Sequence, residues 1–242
     1  MLLQAIALSL ALTVTALEAP TTPRAVICVG GSSGMGKAAA AAVVARGGRV
    51  LCVSRSTDKL AAARSEIVKN TGCVDVLCVQ TYVMDASDEA SVEEFARSSI
   101  LADFAPDGLV VSAAGAAPHG PITSLPTADT QSLFGSKFWS AYHCCKHLAP
   151  LLTDGGSIAL VAGLLNRRPG INCVALAPST RVNLIQANHA QMPGINCVPL
   201  ATVNGALEGL TRALALEFGP RLRVNCTTPH HIHRAPAWGS SY

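Results

Sequence analysis

The sequence predicts an α/β fold in which helices cover both faces of a doubly wound parallel sheet. Short runs rich in β-branched residues alternate with longer Ala-rich segments that favour helices, as in repeated β–α–β units. The composition agrees, because 50% of the 242 residues are hydrophobic. Charged residues make up only 14%, against about 25% in ordinary domains. A chain this apolar can bury a sheet on both faces, and a single domain is the simplest organisation.

The same composition argues against a nucleic-acid partner. The net charge is +3, the chain has no run of Lys or Arg, and aromatic residues make up 4%. Nucleic-acid binders need a basic surface, and single-strand binders also need aromatic side chains on which bases stack. We therefore expect small-molecule chemistry. The apolar half of the composition also excludes disorder of the whole chain.

The nine cysteines include no Cys-x-x-Cys pair. Cys28 and Cys52 lie in apolar runs typical of strands. We expect reduced, mostly buried thiols, with neither a disulfide framework nor a metal site.

The N-terminal segment is mostly apolar from residue 2 to residue 17, and its first charged side chain is Glu18. It is shorter than the roughly twenty residues that a membrane span requires, so we expect no span. Its length suits a signal peptide. Two interpretations of residues 1–22 stay open. They are a leader for the secretory route or an organelle, or else an apolar extension or a mistaken start codon before a cytoplasmic domain that begins near Pro23.

A glycine-rich turn follows the first expected strand, Ala25–Val29. Residues 30–36 read GGSSGMG and lead directly into an Ala-rich helix. Gly30 allows the chain to turn sharply off the strand, Gly34 lets backbone approach a pyrophosphate, and Gly36 lets the helix pack closely on the sheet. A turn of this kind between a strand and a helix indicates a dinucleotide whose phosphates bind at the helix N-terminus.

The glycine spacing Gly-x3-Gly-x-Gly resembles the nucleotide fingerprint of the short-chain dehydrogenase/reductase family. The resemblance extends from about Ala25 to Pro229. It implies a Rossmann-type sheet with strand order 3-2-1-4-5-6 and a homo-oligomer paired through the helix Asn204–Phe218. Four further stretches resemble the family in the same way: Asp85–Asp88, Ser112–Gly115, Gly156–Leu160 and Leu222–Cys226.

The resemblance also implies which residues bind the dinucleotide. Asp85 follows the third strand, where the family places an aspartate near the adenine. Residues 112–115 end the fourth strand and match the family's Asn-Asn-Ala-Gly. The candidate cofactor-binding residues are Gly30, Ser32, Ser33, Gly34, Met35, Gly36, Arg55, Asp85, Ala113, Ala114 and Gly115.

Arg55 bears on the choice between the two nicotinamide dinucleotides. It follows the second strand, Arg49–Val53, nineteen residues after Gly36. A carboxylate in this neighbourhood would bind the ribose hydroxyls of NAD, whereas a guanidinium pairs with a 2′-phosphate. We therefore expect NADP(H) to be favoured over NAD(H). The alternative is a solvated surface arginine.

The residues that usually transfer protons in this family are replaced. The family uses a tyrosine as general acid/base, a lysine four residues later, a serine and an asparagine. Alignment places Leu200, Asn204, Gly163 and Lys137 at those four positions, respectively.

The catalytic residues therefore stay unknown, and Lys137 is the one candidate. A desolvated lysine can donate a proton near neutral pH. The alternative is that Lys137 contacts a phosphate, a ribose or a carboxylate.

Two features depart from the family pattern. PGINCVALA at 169–177 nearly repeats at 193–201, and removing 24 residues restores the usual spacing. We interpret residues 170–193 as an inserted or duplicated block. We also expect a sheet truncated at its C-terminal side, and an irregular tail at 230–242.

The resemblance implies an NADP(H)-dependent oxidoreductase acting on a carbonyl or alcohol substrate that the sequence does not identify. Because the catalytic positions are replaced, two alternatives stay open: a non-catalytic NADP(H)-binding protein, and a misassembled, non-functional gene product.

Overall fold

A computed structural model describes residues 24–75, 77–163 and 198–229. The expected leader at 1–22, the block at 170–193 and the tail at 230–242 lie outside these described residues.

The described residues form a parallel sheet of six strands in the order β3-β2-β1-β4-β5-β6. Every neighbouring pair is parallel. The predicted fold class and strand order are both confirmed. The strands are β1 (Ala25–Val29), β2 (Arg49–Ser54), β3 (Val79–Val83), β4 (Gly108–Val111), β5 (Ser157–Val161) and β6 (Arg223–Thr227).

Helices connect the strands. They are α1 (Gly34–Val44), α2 (Thr57–Thr71), α3 (Glu89–Ala96), α4 (Ser99–Phe104), α5 (Thr127–Leu133), α6 (Ser140–Leu148) and α7 (Val198–Phe218). A π-helical turn, Phe134–Trp139, joins α5 to α6, and a short 3₁₀ turn, Ala149–Leu151, follows α6. None of the helices in the described ranges has the length and hydropathy that a membrane crossing requires.

Side chains of β1 alternate between two hydrophobic cores, one on each face of the sheet. Val26 and Cys28 belong to the core that α1 and α2 cover. Ile27 and Val29 belong to the larger core, to which α3, α6 and α7 contribute. Because both faces are buried, the strand is apolar at every position, as its sequence indicated.

The helix α7 begins at Val198, six residues before the start that the family resemblance predicted. Leu200 and Val203 precede the predicted start and continue its apolar spacing. Pro199 lies in the first turn, where a missing N–H has no consequence for the helix. Pairing of chains through this helix stays a prediction.

The expectation of reduced thiols is wrong for one pair of cysteines. Cys73 and Cys78 form a disulfide, with their Cα atoms 6.9 Å apart, in the loop between α2 and β3. The helix α2 ends at Thr71, and the positive φ of 67° at Gly72 turns the chain back after it, which lets the two residues approach each other. Five other described cysteines are free: Cys28, Cys52, Cys144, Cys145 and Cys226.

Candidate dinucleotide-binding and catalytic site

A cleft of about 570 Å³ opens at the carboxyl ends of the central strands. It lies where the chain leaves β1 and β4 on either side of the reversal in strand order, the usual ligand position in such sheets. Nine of the predicted cofactor-binding residues line it: Gly30, Ser32, Ser33, Gly34, Met35, Arg55, Asp85, Ala113 and Ala114. Gly36 and Gly115 lie outside this lining.

The glycine turn has the backbone geometry that its sequence implied. Gly30 and Gly34 have φ angles of 83° and 52°, in the left-handed region that favours glycine. The Gly30 N–H donates a 2.8 Å hydrogen bond to the Val53 carbonyl, which ties the turn to β2. Ser33 starts α1 without capping it through its side chain, so the first-turn N–H groups can bind an anion.

Gly36 lies against the backbone of the glycine turn. A Cβ atom at this position would lie 2.8 Å from the Gly30 carbonyl carbon and closer still to the Gly30 carbonyl oxygen and the Ser112 Oγ. The lack of a side chain therefore lets α1 pack directly against the turn and the end of β4. Gly36 shapes the cleft without lining it.

Gly115 has a similar supporting position. Its N–H donates a 2.9 Å hydrogen bond to the Ser136 Oγ, which connects the loop after β4 to the π-helical turn. Ser136 and Ser140 both line the cleft, and the sequence reasoning missed them. No sequence signal distinguished these two serines, because they lie far along the chain from the glycine turn. The π-helical turn and the start of α6 bring them to the cleft.

One end of the cleft is positively charged. Arg55 and Lys59 line it and are exposed, and Ser54, the last residue of β2, lines it beside them. The Ser54 Oγ is buried and has no hydrogen-bond partner within the described ranges. Lys59 was missed at the sequence level, although it follows Arg55 by four residues in the first turn of α2.

Asp85 lies at this same end of the cleft. Its Oδ1 accepts hydrogen bonds of 2.9 Å from the Ser87 N–H and 2.6 Å from the Ser87 hydroxyl. Burial by itself would raise the pKa of Asp85, but the bonds from Ser87 and the charge of Arg55 outweigh it and hold the pKa below its ordinary value. The carboxylate is therefore ionised beside a cationic group.

Three of the four positions that replace the usual catalytic residues lie side by side. The Lys137 Nζ donates hydrogen bonds of 2.6 Å to the Asn204 Oδ1 and 3.3 Å to the Ala162 carbonyl oxygen. Gly163 follows Ala162, and a Cβ atom on it would lie 2.9 Å from the Asn204 Nδ2. Leu200, half-buried, lies one turn earlier than Asn204 on α7.

Lys137 is deeply buried, with 8% of its surface exposed. Burial penalises its charged form and lowers its pKa to about 8, from an ordinary value of 10.5. The residue lies in the π-helical turn, a form of helix that is frequent at functional sites.

Residues 24–180 match the family model for short chain dehydrogenases. This chain is a member of the short-chain dehydrogenase family. The match covers more than half of the chain and includes every strand from β1 to β5.

Curated relatives of this short-chain dehydrogenase are distant. A 2-dehydro-3-deoxy-L-rhamnonate dehydrogenase (NAD(+)) from Sphingomonas sp. (strain SKA58) is 29% identical over 145 residues, 58% of this chain. That alignment spans only 55% of the relative, about half of its length. The levodione reductase of Leifsonia aquatica is 25% identical over 222 residues, 90% of this chain and 74% of the relative.

Solved structures share the fold. A short chain dehydrogenase from Shigella flexneri 2a str. 301, complexed with NADP, superimposes with a TM-score of 0.69. The superposition covers 86% of this chain and 77% of the other, at 22% sequence identity.

Proposed function

We propose that this short-chain dehydrogenase is an NADP(H)-dependent oxidoreductase that acts on a carbonyl or alcohol substrate. The observation that supports NADP(H) most directly is the group formed by Ser54, Arg55 and Lys59 at one end of the cleft. Two cations and a hydroxyl without a partner suit a phosphate better than they suit the two hydroxyls of an unphosphorylated ribose.

The same group passes a test of fit. The buried Ser54 Oγ needs a hydrogen-bond partner, and a phosphate oxygen would supply one. Arg55 can pair with a phosphate through two parallel N–H groups, and Lys59 adds a second charge. A third favourable element is the N-terminus of the fifteen-residue helix α2, which begins beside these residues.

The rest of the cleft fits the remainder of the dinucleotide. The N-terminus of α1, with Gly34 and Met35, would hold the pyrophosphate. Ser136 and Ser140 line the part that adjoins Lys137, where the reacting ring and the substrate would meet. When bound, the dinucleotide supplies or accepts the hydride, and the protein positions it against the substrate.

The relatives use both forms of the cofactor, so family membership does not choose between them. The Sphingomonas dehydrogenase is named for NAD(+), whereas the Shigella structure contains NADP. We infer the preference of this chain from its own residues at 54–59.

The test is a titration of the full chain with NADPH and with NADH, followed by the fluorescence of the reduced nicotinamide. We expect saturable NADPH binding, weaker NADH binding, and a loss of that preference in Arg55→Asp. One charge-assisted hydrogen bond contributes roughly 1.5–3 kcal/mol, so the NADPH Kd should rise about 10- to 100-fold. Lys69→Asp makes the same charge change on an exposed residue at the far end of α2 and should leave the Kd unchanged.

An Arg55→Asp variant that kept the NADPH preference would contradict the cofactor assignment. Turnover is then tested with a panel of aldehydes, ketones and keto acids. NADPH binding without turnover would favour a non-catalytic NADP(H)-binding protein. That function would agree with the presence of Gly163, Leu200 and Asn204 at the usual catalytic positions. Failure to bind either dinucleotide would favour a non-functional gene product, in which the glycine turn no longer binds a cofactor.

A further inference from the structure

We propose that Lys137 is the proton donor and acceptor of this site, held by Asn204 and the Ala162 carbonyl in place of the family's tyrosine. The inference rests on the proposed oxidoreductase function and names the residue that completes its chemistry.

The hydrogen bonds of Lys137 suit proton exchange. A charged lysine has three N–H donors, and Asn204 and Ala162 accept two of them. None of the hydrogen bonds among the described residues uses the third, so it would be available to a substrate oxygen. After that proton leaves, the neutral amine still has two N–H groups for the same two acceptors, and its lone pair occupies the third direction. The side chain can therefore lose and regain the proton without moving.

The surroundings of Lys137 do not force it to stay charged. None of the ion pairs among the described residues includes it. Both of its acceptors are neutral, and its burial favours the neutral amine. An ionised Cys226 on β6 would raise the pKa of Lys137, but burial raises the pKa of that thiol and so favours its neutral form. The charge of Glu208 on α7 raises the pKa of Cys226 further.

Lys137 is not itself among the residues that line the cleft, but its neighbours in the chain are. Ser136 precedes it, Ser140 follows one helical turn later, and both line the cleft. The other two replaced positions, Gly163 and Leu200, have no exchangeable side-chain proton. Of the replaced positions, Lys137 alone has an ionisable side chain.

The replacements depend on one another. A side chain on Gly163 would begin 2.9 Å from the Asn204 Nδ2 and would push Asn204 away from Lys137. The glycine therefore leaves room for the Asn204 side chain beside Lys137. Lys137, Gly163 and Asn204 therefore form one contiguous group in the fold.

In the reduction of a carbonyl, a hydride and a proton add to the C=O bond. The carbonyl carbon receives a hydride from the reduced dinucleotide, and the π electrons of the C=O bond move to oxygen. That oxygen takes the proton from the Lys137 Nζ, which leaves an alcohol, the oxidised dinucleotide and a neutral amine. The amine regains its proton from water. Oxidation of an alcohol runs through the reverse steps.

The first test compares the full-length protein with Lys137→Met in single-turnover reduction of whichever carbonyl the panel identifies. General acid/base catalysis contributes about 10²–10⁴-fold, so the rate should fall at least 100-fold while the NADPH Kd stays within threefold. Lys146→Met, at an exposed lysine on α6, is the matched control and should react at the wild-type rate. Lys137→Arg keeps the charge but not the labile proton, and a near wild-type rate in it would overturn the proposal.

The second test does not depend on turnover. In protein labelled with ¹³C- and ¹⁵N-lysine, the resonance that is absent from Lys137→Met should titrate near pH 8, below the ordinary lysine value of 10.5. Asn204→Asp would place a carboxylate beside the ammonium, and should move both this titration and the pH at which reduction slows to higher pH.

The outcomes separate the two proposals. A wild-type chain that binds NADPH but reduces nothing in the panel ends both the oxidoreductase function and the role of Lys137. Wild-type turnover that Lys137→Met leaves unchanged, or a Lys137 resonance that titrates at the ordinary lysine value of 10.5, overturns the role of Lys137 alone.

Discussion

Gly36→Ala tests whether close packing under the glycine turn shapes the dinucleotide cleft. The added methyl group would lie closer than 3.0 Å to the Gly30 carbonyl oxygen and the Ser112 Oγ, a separation that real Cβ atoms hardly ever show. It would also lie 2.8 Å from the Gly30 carbonyl carbon, well inside the 3.4–4 Å of ordinary contact. Two of these three atoms are backbone, so they cannot move aside as the end of a flexible side chain would.

The expected cost follows from that overlap. Overpacking a tight contact costs about 1–3 kcal/mol. Alanine regains up to about 1 kcal/mol of helix propensity, so the free energy of unfolding should fall by up to about 2 kcal/mol. The displaced atoms belong to Gly30, which lines the cleft, so the NADPH Kd should rise about tenfold or more.

Gly209→Ala is the matched control. Gly209 lies inside α7, and a Cβ atom there would meet nothing within 4 Å. Without an overlap, only the propensity gain remains, and the variant should be more stable by about 0.5–1 kcal/mol with unchanged NADPH affinity. Urea unfolding followed by circular dichroism, together with NADPH titration, measures both effects. A Gly36→Ala protein as stable as Gly209→Ala, with wild-type NADPH affinity, would refute the reasoning.

Two further predictions concern charged groups away from the cleft. Hydrogen bonding from Lys146 lowers the pKa of Glu89 to about 2, so Glu89 stabilises the fold above pH 4.5 and loses this effect as the pH falls through about 2. Wild type should therefore be more stable than Glu89→Gln in urea at about pH 6, and the difference should shrink below about pH 4; a constant difference would contradict this. The Asp107 Oδ1 accepts a 3.0 Å hydrogen bond from the Arg24 Nε, and both side chains are three-quarters buried. Asp107→Ala should lower the free energy of unfolding by about 1–2 kcal/mol in urea, and Asp154→Ala, at an 88% exposed carboxylate, should change it by less than about 0.5 kcal/mol.

The sequence predicted the fold because the relevant signals are local. The apolar run Ala25–Val29 is buried at every position on both faces of the sheet, and a run of that kind is visible in the sequence alone. Gly30 and Gly34 have a backbone conformation that glycine adopts readily, and Gly36 lies where a side chain would overlap the turn. The spacing of the three glycines therefore indicates where the cleft lies. Family resemblance then supplied the strand order.

The disulfide shows where local reasoning failed. Cys73 and Cys78 have no spacing that marks a pair, and a chain of this length gave no reason to expect one. Their approach depends on the left-handed turn at Gly72, a conformation of the loop that the residue types permit but do not require.

The proposed catalytic group of Lys137 could be recognised only from the tertiary structure. The sequence supplied Lys137, Gly163 and Asn204 as three separate replacements, and Lys137 is 67 residues from Asn204 along the chain. Only the packing of the π-helical turn between β5 and α7 buries the lysine and places its Nζ on the amide oxygen. The sequence by itself therefore determined the fold and the identity of the residues at the replaced catalytic positions. The lowered pKa of Lys137 and the pairing that could replace the missing tyrosine were decided by packing, because burial and long-range contact are properties of the assembled core.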